Sequence, residues 1–565
     1  MLPLRVLVVA DLSGRAEVSA PHMVTKDTFA ECVQRLAPQL VYEVPNHCGA
    51  PPARLSVHLT LTVPSAFEPE AVVEQVPPLR ELVELRRTAA MVLERLAGIE
   101  ALQALPDTPL IARLREHFQL RPSVAPAVPP VTARPPSSGS TISRILDLVD
   151  IPGEEPHGDS LTRAVDDFVQ ALGSSSQGAR LDRPRAQEGL ATLDRILSAQ
   201  LDAVLHAPEF VALESAWRGL RFLVDRADFR APQPLQLQIV SAPLDRAVDV
   251  LTAVVDEPMT PSLVLAAYAL GPSTAHAEIA ENLARAGESL QAPVVVGLAP
   301  DFLGLRSWSE CSSLSPLPQL FERPEYTLWR ALRAKDCAYW LALVAGRFFA
   351  RRPHSSRADA AVPYREAQTG GVWANPVWAA GSAVIRSFAH GGIGLDITGA
   401  AGAGLIEDLP LCEAASTPSP LEAALPGERA SECADIGVIT FRVHGGDGIC
   451  MSAAPVFRQP PRYADVSASF CAAQQATLQH SLLAGRMASL LGIMRDRSAG
   501  LSAVDVQQLL EAQLREFLGT GSMATVQVAD DPEKPHRFAV QVSARPPGVI
   551  LGRPVEINLT FSLPR

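Results

Sequence analysis

Hydrophobic and polar residues follow two different periods along the chain, which predicts an α/β (mixed α+β) fold. Unbroken apolar runs or strict alternation predict strands, and amphipathic stretches with few helix breakers predict helices. The predicted strands cover residues 4–9, 55–63, 235–240, 294–298, 436–443, 538–542 and 555–563. The predicted helices cover residues 70–100, 142–149, 159–172, 186–226 and 463–497.

Residues 121–140 interrupt this pattern with six prolines, several small residues and no aromatic residue. Such a segment cannot bury a core, so it predicts a semi-extended linker between domains. A short amphipathic helix follows it, with Ser140 or Thr141 as its cap, because apolar residues recur at the spacing i, i+3, i+4, i+7. Those residues are Ile142, Ile145, Leu146 and Val149.

The 565 residues carry 49 Lys and Arg against 61 Asp and Glu, a formal net charge of −12. Non-specific binding to nucleic-acid phosphates needs a basic surface, which this composition does not favour. The best candidate for a membrane span, residues 340–350, is short and broken by Arg347. The N-terminus does not have the pattern of a signal peptide. We therefore expect a cytoplasmic protein that neither binds nucleic acid nor inserts into a membrane.

The sequence contains no motif typical of catalysis or metal binding. HExxH, GxSxG and phosphate-binding GxxxxGK[ST] patterns are missing. A glycine-rich run over residues 391–404 fails the GxGxxG pattern because Ile397 stands where the third glycine is needed. The eight cysteines are too far apart for CxxC pairs, and the twelve histidines show no ligand spacing. We expect buried reduced thiols, and no cofactor, metal or catalytic residue.

Residues 193–220 resemble the large sheath subunit of type VI secretion systems, TssC (VipB). Similar blocks follow in order over residues 321–353, 372–410, 435–439 and 494–496, so the resemblance covers most of residues 141–565. One departure is that Asn375 is followed by Pro376. The signature residues are Leu197, Gln200, Leu201, His206, Pro208, Glu209, Phe210, Trp217, Arg218 and Gly219.

Residues 2–15 resemble the opening strand and turn of the small sheath subunit, TssB (VipA), and shorter matches follow at residues 25–29, 44–46 and 67–87. The order of the two resemblances implies a fusion of two normally separate chains. The predicted organisation is a TssB-like part over 1–120, a linker over 121–140, a helical arm over 141–185, and a TssC-like core with a C-terminal β arm over 186–565.

The resemblance implies a structural subunit without enzymatic activity. Copies of it would form a helical homopolymer around an Hcp-like inner tube, starting from a baseplate, and the polymer would contract to propel the tube. The work would come from a change in the packing between identical copies, as in other bistable assemblies.

Sheaths of this family join neighbouring subunits by exchanging strands from terminal arms, and strand addition supplies main-chain hydrogen bonds. We predict that the first and last strands are such arms. The alternative is that both are ordinary strands of their own sheets. The predicted arm residues are Leu4, Val6, Val8, Val555, Ile557, Leu559, Phe561 and Leu563.

The helix after the linker resembles in position a short helix that the AAA+ ATPase ClpV recognises when it dismantles contracted sheaths. Its groove-filling side would be Ile142, Ile145, Leu146, Leu148 and Val149. The alternative is that this helix packs on its own domain.

Two other functions remain open at this stage. One is the sheath of a related phage-tail-like or extracellular contractile injection system, which genomic neighbours would distinguish. The other is a cytosolic α/β enzyme, which would need a pocket with a convergent acid–base pair.

Overall fold

A computed structural model gives the architecture of the chain. The structure describes residues 2–48, 52–94, 183–232, 234–255, 260–314, 316–356, 360–367, 370–414, 417–531 and 536–564. Residues 2–94 are called the N-terminal part below, and residues 183–564 the C-terminal part.

A seven-stranded sheet lies at the centre of the molecule, in the order β11-β8-β7-β6-β1-β5-β2. All neighbouring strands in it are parallel except β2, which pairs with β5 in the antiparallel sense. Its strands are β1 (Leu4–Ala10), β2 (His22–Met23), β5 (Leu235–Ser241), β6 (Leu263–Leu270), β7 (Val294–Leu298), β8 (Leu341–Val344) and β11 (Val438–Ile439).

Helices cover both faces of this sheet, because apolar side chains on a strand point alternately to opposite sides. In β1, Leu4, Val6 and Val8 face one core, while Leu7 and Val9 face the other. The first core includes α1 (Phe29–Leu36), α2 (Pro69–Gln75), α3 (Pro77–Leu93), α4 (Arg183–Leu205), α5 (Pro208–Arg226) and α10 (Pro376–Gly391). The second includes α6 (Ala247–Val255), α7 (Thr274–Leu290), α8 (Leu317–Phe321), α9 (Thr327–Arg333) and α11 (Gly427–Asp435).

The C-terminal residues form a third core around a three-stranded antiparallel sheet, in the order β14-β15-β18. Its strands are β14 (Met523–Asp530), β15 (Arg537–Arg545) and β18 (Ile557–Pro564). The helices of this region are α12 (Val466–Gln475), α13 (Leu478–Arg497) and α14 (Ala503–Leu518). Between β15 and β18, the short strands β16 (Val549–Ile550) and β17 (Arg553–Pro554) form a hairpin.

Three further two-stranded antiparallel sheets complete the described structure. They pair β3 (Gln39–Pro45) with β4 (Arg54–Thr60), β9 (Phe348–Arg351) with β10 (Val372–Ala374), and β12 (Phe441–His444) with β13 (Gly448–Met451).

Three stretches with a predicted helical pattern are each divided into two helices where a turn residue intervenes. Val76 is extended because it precedes Pro77, which separates α2 from α3. Pro208 begins α5 in the same way after α4. Thr477 is extended and caps α13, its hydroxyl accepting from the amide of His480, so residues 463–497 do not form one helix.

The N-terminal part contributes a strand to the sheet of the C-terminal part. Its strand β1 lies between β5 and β6, with Leu4 aligned with Leu235 and Val6 with Leu263. Strands from both parts therefore share one continuous sheet. The predicted linker over 121–140 lies outside the described residues, as do residues 141–182 of the predicted arm over 141–185.

The cysteine prediction holds for seven of the eight residues, which are free and buried, whereas Cys471 is exposed. Within the described ranges, no single helix is long and apolar enough to cross a membrane. The pair α4 and α5, bent by 69°, passes that test by length and composition alone.

Candidate assembly surfaces

Helices α4 and α5 carry the signature residues and lie directly against the N-terminal part. The buried Gln200 of α4 reaches the turn after β3 with both ends of its side chain. Its Oε1 accepts from the amide of His47 at 2.7 Å, and its Nε2 donates to the carbonyl of Pro45 at 3.1 Å. Since both ends are satisfied by main-chain groups, Gln200 fixes the register between the two parts.

The contact surface between the N-terminal and C-terminal parts, called the seam below, continues along α5 through aromatic signature residues. The indole Nε1 of Trp217 donates to the carbonyl of Leu12 at 2.8 Å, and its ring meets Phe29 edge-on at 5.9 Å. Phe210 meets Phe67 in the same geometry, also at 5.9 Å. Both pairs join one part to the other and add ring-edge attraction to the burial of large apolar surfaces.

Acidic and basic side chains alternate in a network of ion pairs through the same region. Buried Glu214 accepts from Arg218 at 2.5 Å and from Arg351 at 2.8 Å. Arg218 also donates to Glu68 of the N-terminal part at 3.1 Å. Arg351 also binds Glu366, at 2.7 Å, which extends the network. Because each buried charge has an opposite partner, the cost of desolvation is offset across the seam.

Glu366 also binds signature residue His206, whose Nε2 lies 2.8 Å from its carboxylate. Burial would raise the pKa of Glu366, but the bonds from His206 and Arg351 hold it well below its ordinary value. The hydrogen bond with Glu366 raises the pKa of His206. Burial, followed by the charge of Arg351, lowers the pKa of nearby His354.

The depressed pKa of Glu366 predicts a loss of stability in acid. The contribution of Glu366 to the free energy of unfolding is fully present above the pKa of an unfolded glutamate, about 4.3. It is lost as the pH falls through the lower pKa of Glu366 in the folded state. We expect the thermal midpoint to fall steeply below about pH 4. In Glu366→Gln this fall should be shallower, because one fewer proton is taken up on unfolding. The measurement is the thermal midpoint from pH 3 to 7, and equal slopes in both proteins would contradict the prediction.

The remaining signature residues shape the helices themselves. Leu197 and Leu201 are buried in the first core, Pro208 occupies the first turn of α5, and Glu209 adds an acid there. Gly219 permits close packing of α5 on α10, since a Cβ atom at this position would lie 2.2 Å from the indole nitrogen of Trp378.

Several seam residues were missed by sequence reasoning. Tyr42 donates its hydroxyl to the carbonyl of Val204 at 2.9 Å, and Arg86 pairs with Asp194 at 2.9 Å. Glu366 and Arg351 were also missed. They lie 149 and 134 residues beyond Trp217 in the sequence, so no local spacing could reveal them.

Strand β1 differs from the predicted exchange arm. Leu4, Val6 and Val8 are fully buried, and β1 pairs with β5 on one side and β6 on the other. A strand with both edges occupied inside its own chain has no free edge to donate. The alternative considered for these residues, an ordinary strand of its own sheet, describes this end of the chain.

Strand β18 is an edge strand of the C-terminal sheet. It pairs with β15 on one side, and no described strand pairs with its other side. Ile557 and Leu563 face the third core, whereas Leu559 and Phe561 are half-buried. Val555 is buried but precedes the strand.

A cleft of about 660 Å³ opens at the carboxyl ends of β1, β6 and β7. Strand β6 carries a register shift between Ala266 and Ala269 beside it. The structure gives a reason for the sequence departure in which Asn375 is followed by Pro376. The side chain of Asn375 caps α10 by accepting from the amide of Val377, and its Nδ2 donates to the carbonyl of Tyr268 at 2.7 Å. Pro376 is the first residue of the helix, a position that favours proline.

Two polar side chains at this cleft, those of Arg347 and His206, have structural partners. Arg347 binds Glu422 through two bonds, at 2.5 and 2.8 Å, and His206 binds Glu366. In the described part of the chain, no group of three or more His, Cys, Asp or Glu residues is arranged to hold a metal ion. The predicted recognition residues Ile142, Ile145, Leu146, Leu148 and Val149 lie outside the described residues.

Comparison with known proteins assigns both parts of the chain. A model of the VipA family of type VI secretion systems matches residues 1–112. A model of the VipB family, described as a tail sheath N-terminal domain, matches residues 187–254 and 256–454. The sheath protein TssC1 of Pseudomonas aeruginosa is 26% identical over 355 residues, covering 56% of this chain and 71% of that protein.

Solved structures give weaker likenesses. A sheath tail protein from Desulfitobacterium hafniense has a TM-score of 0.32 and 12% identity, covering 57% of this chain and 60% of that one. The contracted PVC sheath of an extracellular contractile injection system has a TM-score of 0.35 and 10% identity, covering 60% and 77%.

The sequence matches agree with the seam described above, in which a VipA-like part and a VipB-like part share one sheet. Together they cover more than half of the chain, in the order small then large. The chain belongs to the sheath protein family of type VI secretion systems and joins the small and large sheath subunits in one polypeptide.

Proposed function

We propose that this protein is the repeating structural unit of a contractile sheath in the bacterial cytoplasm. Copies assemble on a baseplate around an Hcp-like inner tube, and contraction of the polymer propels the tube. The observation that carries the proposal is the seam, because it holds the two sheath parts together as one rigid building block. A block of this kind transmits force between its neighbours without any chemical reaction.

The side chains of the cleft support a structural role over an enzymatic one. Two polar side chains that line it, His206 and Asn375, are engaged in contacts that hold elements together. We propose that the protein acts through contacts between copies. Recycling by a ClpV-type ATPase through residues 142–149 is part of the proposal and rests on the sequence resemblance alone.

The edge strand β18 is the proposed point of strand addition between copies. Its open side offers main-chain donors and acceptors to a strand of a neighbouring subunit. Deleting the strand is a poor test, since Ile557 and Leu563 belong to the third core. A proline that removes one outward amide is a sharper change.

We expect one of Leu559→Pro and Thr560→Pro to abolish filaments while leaving the protein folded. Amides alternate along an antiparallel edge strand, so one of two consecutive positions donates towards β15 and the other donates outward. Filaments are counted by negative-stain electron microscopy, and folding is checked by circular dichroism.

The variant whose proline removes the amide that donates towards β15 serves as the matched control. It weakens the sheet of the subunit itself and should therefore lower the thermal midpoint. Normal filaments from both variants would refute strand addition at β18. A wild-type protein that stays monomeric with and without tube protein would refute the sheath function.

A further inference from the structure

The hairpin formed by β16 and β17 ends in an unusual turn. Its two loop residues, Leu551 and Gly552, both have positive φ, at 52° and 77°. This is the geometry of a type I′ turn, in which Asn is favoured at the first position. A leucine there adopts the left-handed region at a cost, and its side chain is 52% exposed. Backbone strain combined with an exposed apolar side chain is typical of a functional position.

The hairpin is held rigidly in place. Ile550 is buried in the third core, and the side-chain amide of Gln474 donates to the carbonyls of Ile550 at 2.9 Å and Arg553 at 3.1 Å. The guanidinium of Arg553 lies over the ring of Phe470 at 4.2 Å. The tip therefore needs little ordering to bind a partner, which favours affinity.

The exposed tip combines apolar side chains with one positive charge. Val549 is 55% exposed, and Arg553 has no carboxylate partner within the described ranges. On α12, Val466 lies one helical turn before Phe470 and is 81% exposed. We call Val549, Leu551 and Arg553 the docking tip.

The cleft at the carboxyl ends of β1, β6 and β7 has the complementary character. Its walls are largely apolar, and its volume of about 660 Å³ accommodates several side chains. Arg347 is neutralised by Glu422, and His206 faces Glu366. Asp11 and Glu209 also line the cleft, and no salt bridge joins either of them to another described residue, so the lining holds more acidic than basic charge.

We propose that the docking tip of one copy inserts into this cleft on a second copy, with Arg553 facing Glu209. The tip and the cleft are different surfaces of the same chain, so the contact is heterologous. Repeated contacts of this type do not close on themselves and generate an open helical polymer. The inference rests on the proposed sheath function and assigns one of its interfaces.

The first test uses a substitution that suits the turn. Asn is favoured in this backbone conformation, so Leu551→Asn should not lower the thermal midpoint of the subunit. We expect filament mass, measured by pelleting and electron microscopy, to fall by at least about tenfold, because an anchor residue of the contact is lost. Leu328→Asn, which changes another exposed leucine, is the matched control and should assemble normally.

The second test exchanges the charges. Arg553→Glu and Glu209→Arg should each reduce filament mass, since each places like charges opposite one another. The double variant should recover most of the filaments, which a merely local effect on folding would not do.

The tests distinguish failure of the docking contact from failure of the proposed sheath function. If wild-type protein forms filaments while Leu551→Asn does so equally well, or the double variant shows no recovery, the docking contact is wrong and the sheath function stands. The same loss from Leu328→Asn would also overturn the contact. If wild-type protein never polymerises, both proposals fall, and the cleft is then open to a small ligand.

Discussion

Val8→Asp should prevent the protein from folding. Val8 is fully buried on the central strand β1, aligned with Ile239 on one side and Leu265 on the other. A carboxylate there has no partner and cannot reach water, so we expect a loss of about 5 kcal/mol or more, comparable to the whole stability of many domains. The measurement is the soluble fraction after expression, followed by circular dichroism.

Val41→Asp provides the matched control, because Val41 is 68% exposed on β3 and the same change there meets water. It should remain soluble with a nearly unchanged thermal midpoint. A soluble, cooperatively folding Val8→Asp protein would contradict the position of β1 inside the sheet.

Arg351→Met should produce the second largest loss, about 3–5 kcal/mol. The side chain of Arg351 is 10% exposed and binds two buried carboxylates, those of Glu214 and Glu366. Methionine fills similar space but leaves both acids with one counter-charge fewer. Guanidinium chloride unfolding measures the change in free energy.

Arg54→Met is the corresponding change at an exposed ion pair with Glu43, where we expect about 0–1 kcal/mol. Combining Arg351→Met with Glu366→Gln should recover part of the lost free energy of unfolding, because the buried carboxylate of Glu366, left without Arg351, is removed. Equal effects at the buried and exposed pairs would contradict the role of Arg351 in the seam.

Each of the seven predicted strands corresponds to a strand of the structure, because local patterns depend on neighbours within a few residues, although strands such as β3, β6 and β14 were missed. The unbroken run over 4–9 and the alternation over 538–542 both correspond to strands, β1 and β15. The family resemblance also identified the segment that forms the seam. Helix breaks at Val76 and Thr477 were missed because the apolar pattern continues through them.

Long-range pairing could not be predicted from the sequence. A buried apolar strand near a chain end has the same pattern whether it is exchanged with another chain or enclosed in its own. The partners of β1 lie more than 220 residues away, at Leu235 and Leu263. Likewise, nothing near Glu366 in the sequence indicates that Arg351 and His206 converge on it.

The enclosed position of β1 has a consequence for synthesis on the ribosome. The strand emerges before both of its neighbours, because β5 and β6 follow only after residues 235 and 263 have been translated. At about 5–20 residues per second, that delay is roughly 12–50 seconds. During this interval an apolar segment of seven residues has no partner strand. Nascent chains of this protein are therefore expected to depend on chaperones that bind exposed apolar segments, and slower translation should lower the soluble yield.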